Sequence, residues 1–398
     1  MIGNGMAGVR TLEELLHIAP DRYEISVFGA EPHPNYNRIM LSPVLAGEQT
    51  MAEIVLNPLS WYDSHGIRLH LGKRVVRVDR RRRVVHAEDG TQEPYDWLLI
   101  ATGSVPFIPD LPGRGLDGVI GYRDMADTQE MIDSAARHRH AVVIGGGLLG
   151  LEAANGLVQR GMQVTVVHNK AWLMDRQLDE TAAQLLRQSL EQRGIAFRMS
   201  TQTKALTGDE HGRVCAVQFG DGSAQAAQLV VFAAGIRPNV DVAQGMGLLC
   251  DRGIVVHDTM QAVTDARVYA VGECATHRGV GYGLVAPLFE QAKVCATHLA
   301  ELGIGRYVGS QTSTKLKVTG IDLFSAGDFT GGDGTEQLVL HDPVSGVYKK
   351  LVLRGDVLVG ACLFGDTADG PWYFDMVRDG RNVAPLRDSL VFGQEAAS

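Results

Sequence analysis

The pattern in this 398-residue chain with the clearest chemical meaning is glycine spaced as G-x-G-x-x-G, and it occurs twice. Gly145, Gly147 and Gly150 follow the apolar run Ala141-Val142-Val143-Ile144, while Gly3, Gly5 and Gly8 follow only Met1 and Ile2. Between a strand and a helix, the first glycine permits a tight turn, the second lets a pyrophosphate approach the backbone, and the third lets helix and strand pack closely. The helix that begins there offers free N–H groups and a positive dipole end to phosphate. Two such motifs suggest two dinucleotides on one chain, the layout of a flavoenzyme reduced by a nicotinamide.

Ribose recognition should come from the end of the next strand, where NAD sites carry Asp or Glu and NADP sites a nearby cation. After the second motif, the strand Gln163 to Val167 runs instead into His168, Asn169 and Lys170. His168 and Lys170 either serve a 2′-phosphate or are loop residues, so NADH against NADPH stays open. After the first motif the strand Tyr23 to Phe28 leads to Glu31, an adenosine-ribose candidate two residues beyond the usual place. Leu148 and Leu149 open the helix of the second motif, and Glu152 lies on it.

Several elements must hold these residues. Helices are predicted over Val9 to Ile18, from the second motif to about Arg160, over Asp179 to Arg193, and over Pro287 to Leu302. Buried strands are predicted at Tyr95 to Ala101, Leu229 to Ala233 and Val268 to Val271, with short strands from about Ser60 to Ala87. Gly235 to Asn239 reads as a turn, and the tail from Gln311 as short strands in a small α+β domain. The fold class is therefore α/β, with two Rossmann-like domains and a small α+β C-terminal domain. Residues 1–112 and 234–308 would bind the first dinucleotide, 113–233 the second, and 309–398 would form the third domain. The first strand reads as truncated, because two residues precede Gly3. A version extended upstream by one strand is expected to bind its nucleotide more tightly.

Composition narrows the class. A formal charge of -9 argues against a nucleic-acid partner. The one basic block, Arg80 to Arg83, reads as a solvated hairpin turn. Five cysteines lie scattered without a close pair, which offers no metal site and no redox dithiol and fits a reducing cytoplasm. The apolar stretch 141–158 carries Glu152 and Asn155 as well as the motif glycines, so it reads as a buried strand–turn–helix and not as a membrane span.

On these motifs, on Ala101-Thr102-Gly103, and on Tyr269-Ala270-Val271-Gly272-Glu273-Cys274-Ala275, the chain resembles FAD-dependent pyridine-nucleotide reductases of glutathione-reductase-like fold. Tyr36 to Ser42, Gly283 to Pro287 and Ser313 to Gly320 look like the flavoprotein portion of assimilatory nitrite reductases, and like the electron-transfer subunit of assimilatory nitrate reductases. The resemblance implies FAD, and NADH or NADPH, as cofactors. Gly272 and Glu273 would meet the flavin's ribityl chain and pyrophosphate, where an Asp is common in place of Glu273. Arg38 and Ser42 would lie beside the FAD, and the helix entered at Leu284 would aim its N-terminus at the flavin N1–C2=O region. Gly235 falls with the nicotinamide set. Related ferredoxin reductases carry a lysine after the serine, where this chain has Pro43. No obligatory side-chain acid, base or nucleophile follows from the resemblance. The acceptor it implies is an iron–sulfur, sirohaem or molybdenum reductase partner, and it admits a homodimer. Nitrite reductase large subunits continue into iron–sulfur and sirohaem regions that these residues lack. Lys315, Lys317, Lys349 and Lys350 read as solvated strand lysines or as a docking patch for an acidic partner.

Overall fold

The structure is a computed structural model and describes residues 1–303, 305–318 and 320–396, except the side chains of 315–318. The chain divides into two compact units. One comprises Met1–Leu41, Gln49–Val105 and Ile236–Ser310, the other Ser42–Glu48, Pro106–Gly235 and Gln311–Ser398.

In the first unit, Leu98–Ile100 pairs in parallel with Asp265–Ala270, and Ser26–Phe28 with Arg68–His70. Ile2 joins the two pairs through parallel bridges to Ile100 and Phe28. Its N–H donates to Leu99 O (2.9 Å), its carbonyl accepts from Ala101 N–H (2.7 Å), and Phe28 N–H donates to Met1 O (2.9 Å). The strand position between these pairs is thus held by one buried bridging residue, Ile2. The amino group of Met1 donates to Ser26 O at 2.6 Å, and burial brings its pKa down to about 5. Above this sheet the helix Met6–Ile18 packs against the helix Val285–Leu299.

The second unit holds a five-stranded parallel sheet in the order Val119–Gly121, Leu229–Phe232, His140–Ile144, Gln163–Val167, Ile195–Arg198. Its central strands are buried on both faces, which is why they read as continuous Val/Ile/Leu runs. A five-stranded antiparallel sheet built from residues 313–364, with the helix Gly370–Asp379 packed on it, forms the C-terminal part.

The repeat is larger than the doubled motif. Each half runs from a glycine motif through a helix and a strand to a three-stranded antiparallel sheet (Val75–Asp79, Val84–Ala87, Gln92–Pro94; Thr203–Gly208, Val214–Phe219, Ala224–Ala226). A closing strand then leads each half into Ala-x-Gly, at Ala101 and at Ala233.

Four expectations need correction. Leu59–Ser64 is helical and not a strand, since Pro58 at its N-cap starts a turn that buries Tyr62. Ile236–Pro238 is extended strand and not a turn: Asn239 N–H donates to Gly103 O (2.9 Å) and Thr102 Oγ1 donates to Asn239 O (2.7 Å). The hairpin at Arg80 to Arg83 exists, but Arg80 is not simply solvated. Its guanidinium donates to Asp265 Oδ2 (2.9 Å) and to the carbonyls of Met246 and Thr264 (3.2 and 3.0 Å), tying the hairpin to the parallel sheet.

Lys349 and Lys350 are also misread as surface residues. Both are buried, on opposite faces of the strand Val347–Arg354. Lys349 pairs with Asp366 (2.6 Å) and Asp369 (3.3 Å), and Lys350 with Asp179 (3.3 Å). Asp179 also accepts from Tyr348 (2.6 Å) and caps the helix Glu180–Gln192. The side chains of Lys315 and Lys317 lie outside the described residues.

Candidate functional site

The two glycine motifs are built alike. Gly3 and Gly145 adopt φ of +102° and +126°, a conformation other residues rarely take. A Cβ on Gly3 would lie 2.2 Å from Ala101 O, and one on Gly145 would lie 2.3 Å from Ala233 O. The third glycines are equally confined: a Cβ on Gly8 would meet Ala101 Cβ at 2.8 Å, and one on Gly150 would meet Gly145 O at 2.0 Å. The middle glycines differ. A Cβ on Gly5 or Gly147 would meet nothing within 4 Å, although both have ordinary extended backbone. Folding therefore demands glycine at the outer positions, whereas the middle positions open onto free space.

Gly5 and Gly147 are the N-caps of Met6–Ile18 and Leu148–Gln159, and neither helix has a side-chain cap. Met125–Arg137 and Glu180–Gln192, by contrast, are capped by Asp124 and Asp179. The motif helices leave their first N–H groups to a ligand. Val285–Leu299, entered at exposed Leu284, also begins without a side-chain cap. An open backbone surface over an uncapped helix start fits a pyrophosphate at both motifs.

Around the first motif, Glu31 lies just past the strand Ser26–Phe28. Its two oxygens accept from Arg38 (2.7 Å) and Tyr36 (2.7 Å), whose ring also lies under the Arg38 guanidinium. A carboxylate has about four lone-pair sites, so the two bonds orient Glu31 and leave capacity for ribose hydroxyls. Glu273 accepts from buried Ser104 (2.8 Å), and Gly272, at φ +87°, donates its N–H to the Gln291 side chain (3.0 Å). Thr102 and Gly103 form the turn after the closing strand. Ser104 and Gln291 escape a reading by motif, because each acts only through a partner distant in sequence.

The second motif gathers a different set. Leu148 and Leu149 form the first turn of its helix, and Gly235 sits exposed after the closing strand at φ +121°. Ser42 joins this motif: its Oγ donates to Glu152 Oε2 (2.7 Å) and accepts from Tyr122 (3.2 Å). Tyr122 is 1% exposed, and burial pushes its phenol above the ordinary range. His168 lies beneath the glycine loop, its Nδ1 accepting from Gly146 N–H (3.2 Å) and its Nε2 3.5 Å from Asp175. Burial lowers its pKa despite Asp175, keeping the imidazole neutral as that bond requires.

The five cysteines are free thiols. Burial raises the pKa of Cys274, Cys295 and Cys250, and takes Cys362 up to about 12. None of these four is a ready thiolate nucleophile.

Residues 1–298 match the family described as pyridine nucleotide-disulphide oxidoreductase, which spans three quarters of the chain. The chain belongs to this family. It is accordingly an NAD(P)H oxidoreductase of a group whose cofactors are FAD and a nicotinamide nucleotide. Residues 313–381 match the C-terminal domain of rubredoxin NAD+ reductase. The chain is 47% identical over 384 residues to a nitrite reductase [NAD(P)H] of Bacillus subtilis, covering 96% of this chain and 47% of that protein. It is 43% identical over 391 residues to the assimilatory nitrate reductase electron transfer subunit of the same organism, covering 98% and 50%. The chain thus spans about half the length of these relatives. Among solved structures, the putidaredoxin reductase–putidaredoxin complex superimposes with a TM-score of 0.84 at 25% identity, over 96% of this chain and 93% of that one. No helix among the described residues is long and apolar enough to cross a membrane.

Proposed function

We propose that this chain receives hydride from NAD(P)H on FAD and passes the electrons to a nitrite- or nitrate-reducing partner with an iron–sulfur, sirohaem or molybdenum centre. The observation that carries this reading is the pair of open, uncapped glycine cradles at Gly5 and Gly147, in a chain whose close relatives bear those activities. FAD is assigned to Gly3, Gly5, Gly8, Glu31, Arg38, Thr102, Gly103, Gly272 and Glu273 in the first unit. The nicotinamide coenzyme is assigned to Gly145, Gly147, Leu148, Leu149, Gly150 and Gly235, and residues 309–398 to the C-terminal α+β domain.

When bound, the two cofactors supply the hydride donor and an acceptor able to release electrons singly. The chain's own part is binding, orientation and electrostatics. N–H groups at Gly5–Met6 and Gly147–Leu148 would hold the pyrophosphates, and Glu31, fixed by Arg38 and Tyr36, would hold an adenosine ribose. The start of Val285–Leu299 would favour negative charge near the flavin ring. The raised pKa values of Cys250, Cys274, Cys295 and Cys362 speak against disulfide chemistry at these thiols.

A second acceptor, a small rubredoxin-like carrier, is favoured by the match of residues 313–381. The FAD-loaded chain, mixed anaerobically with NADH or NADPH, should lose its flavin absorbance near 450 nm, and failure with both coenzymes refutes the reading. Reoxidation by a sirohaem nitrite reductase but not by rubredoxin supports the first acceptor, and the reverse supports the second.

A further inference from the structure

Asp179 serves two elements at once through its two oxygens. Oδ1 accepts from Ala182 N–H (3.0 Å) and caps the helix Glu180–Gln192. Oδ2 accepts from the Tyr348 hydroxyl (2.6 Å) and lies 3.3 Å from Lys350 Nζ, both on the strand Val347–Arg354 of the C-terminal sheet. All three side chains are largely buried. A buried ion pair adds little stability over apolar packing, and its best-attested use is to fix one arrangement of the elements it joins.

From Asp179 one short turn leads to the second glycine loop. Gln177 and Leu178 donate their N–H groups to Met174 O (2.8 and 2.9 Å), and Met174 N–H donates to Gly146 O (3.0 Å). Leu173, Met174 and Leu178 are buried, and a Cβ on Gly146 would lie 2.8 Å from Leu173 Cδ2. Met174 is held at φ +49°, a left-handed conformation that persists only where the surroundings impose it. The bond to Gly146 O also sets a direction. The Gly146 carbonyl and the Gly147 N–H belong to one planar trans peptide and point opposite ways. Holding the carbonyl on Met174 therefore turns the Gly147 N–H away from the turn, at the residue where an added Cβ would meet nothing within 4 Å. The preceding peptide is fixed as well, since Gly146 N–H donates to His168 Nδ1 (3.2 Å).

We propose that Asp179 is a positioning residue for the nicotinamide coenzyme. Tyr348 and Lys350 anchor it to the C-terminal sheet, and through the Met174 turn it fixes the direction in which Gly147 N–H meets the pyrophosphate. The C-terminal sheet thereby sets coenzyme affinity without touching the coenzyme. The inference rests on the assignment of that coenzyme to the second glycine motif.

Stopped-flow reduction of the FAD-loaded chain over a range of NADH and NADPH concentrations separates coenzyme Kd from the limiting rate of flavin bleaching. Tyr348→Phe and Lys350→Met should each raise the Kd about tenfold, the value of one charge-assisted hydrogen bond, and change the limiting rate by less than about twofold. Asp179→Asn, which keeps an oxygen for Ala182 N–H, should do the same. The control is Lys349, which makes the same kind of buried ion pair from the opposite face of this strand, with Asp366 and Asp369. Lys349→Met should lower the melting temperature as Lys350→Met does, yet leave the Kd unchanged. Should Lys350→Met not fold, Tyr348→Phe, which removes a single oxygen, decides alone. An unchanged Kd in the Tyr348 and Lys350 variants, an equal rise in Lys349→Met, or an effect confined to the limiting rate overturns the inference. In each of these cases the unaltered chain is still bleached, and the proposed function stands without the inference. Failure of both coenzymes to bleach the unaltered chain removes the function itself.

Discussion

Replacing Gly147 with alanine should separate binding from folding. The position has φ −87° and ψ −179°, which alanine adopts freely, and the added Cβ meets no protein atom within 4 Å. Restricting the unfolded chain should raise stability by about 0.4–1 kcal/mol. The methyl group would instead occupy the space where a pyrophosphate reaches the backbone. Losing one N–H bond to a charged oxygen costs about 1.5–3 kcal/mol, which weakens coenzyme binding by about 10- to 150-fold. Gly145→Ala is the contrast. It combines a strained φ, worth about 1–2 kcal/mol, with an overlap against Ala233 O, worth about 1–3 kcal/mol. A loss of about 2–5 kcal/mol is a large part of a typical domain's stability. Thermal melts and stopped-flow reduction of the FAD-loaded variants over a range of NADH and NADPH concentrations would measure both effects. The reasoning fails if Gly147→Ala melts as early as Gly145→Ala, or if its coenzyme Kd changes by less than about threefold.

Three further outcomes are expected. Hydrogen bonding from Lys349 holds Asp366 below the ordinary carboxylate range, so this contribution to stability is present above the unfolded pKa near 3.9 and fades as pH falls through the folded value. Lys349→Met should flatten the acid limb of urea-melt stability against pH, and an unchanged limb would contradict the pairing. Asp258 is held down to about 2 by Arg278 and His277, so Arg278→Ala should shift the onset of acid unfolding to higher pH, as followed by circular dichroism. Changing Cys215 and Cys250 together to serine should leave NADH-driven flavin bleaching intact, and its loss would revive a thiol mechanism.

The glycine motifs were legible because their requirement is local: positive φ and close packing leave little choice but glycine at Gly3, Gly145 and Gly150. The parallel strands were legible for a similar reason, since burial on both faces shows as an unbroken apolar run. Side chains whose partners lie far along the chain were not. Two adjacent lysines on an alternating strand suggest solvent on at least one side, yet Lys349 and Lys350 are buried on both. Asp366 and Asp369 satisfy one, and Asp179, some 170 residues upstream, satisfies the other. Arg80 was lost in a basic run whose neighbours do face water, and Ser42 joined Glu152 across 110 residues of sequence. His168 stood where the motif asks for a ribose contact, and only its bond to Gly146 shows that it supports the loop from beneath.

The carbonyls of Ala101 and Ala233, pressed over Gly3 and Gly145, bear on the order in which the chain acquires its shape. A glycine loop cannot settle until its closing strand has arrived beneath it. In the second half that strand is complete at Phe232, and its sheet draws on residues 119–232 alone. In the first half, Leu98–Ile100 must wait for Asp265–Ala270, and Gly272 for Gln291. During synthesis from the N-terminus, the motif that emerges first is therefore finished last. The cradle at Gly147 can form while the one at Gly5 is still waiting for its neighbours to be made.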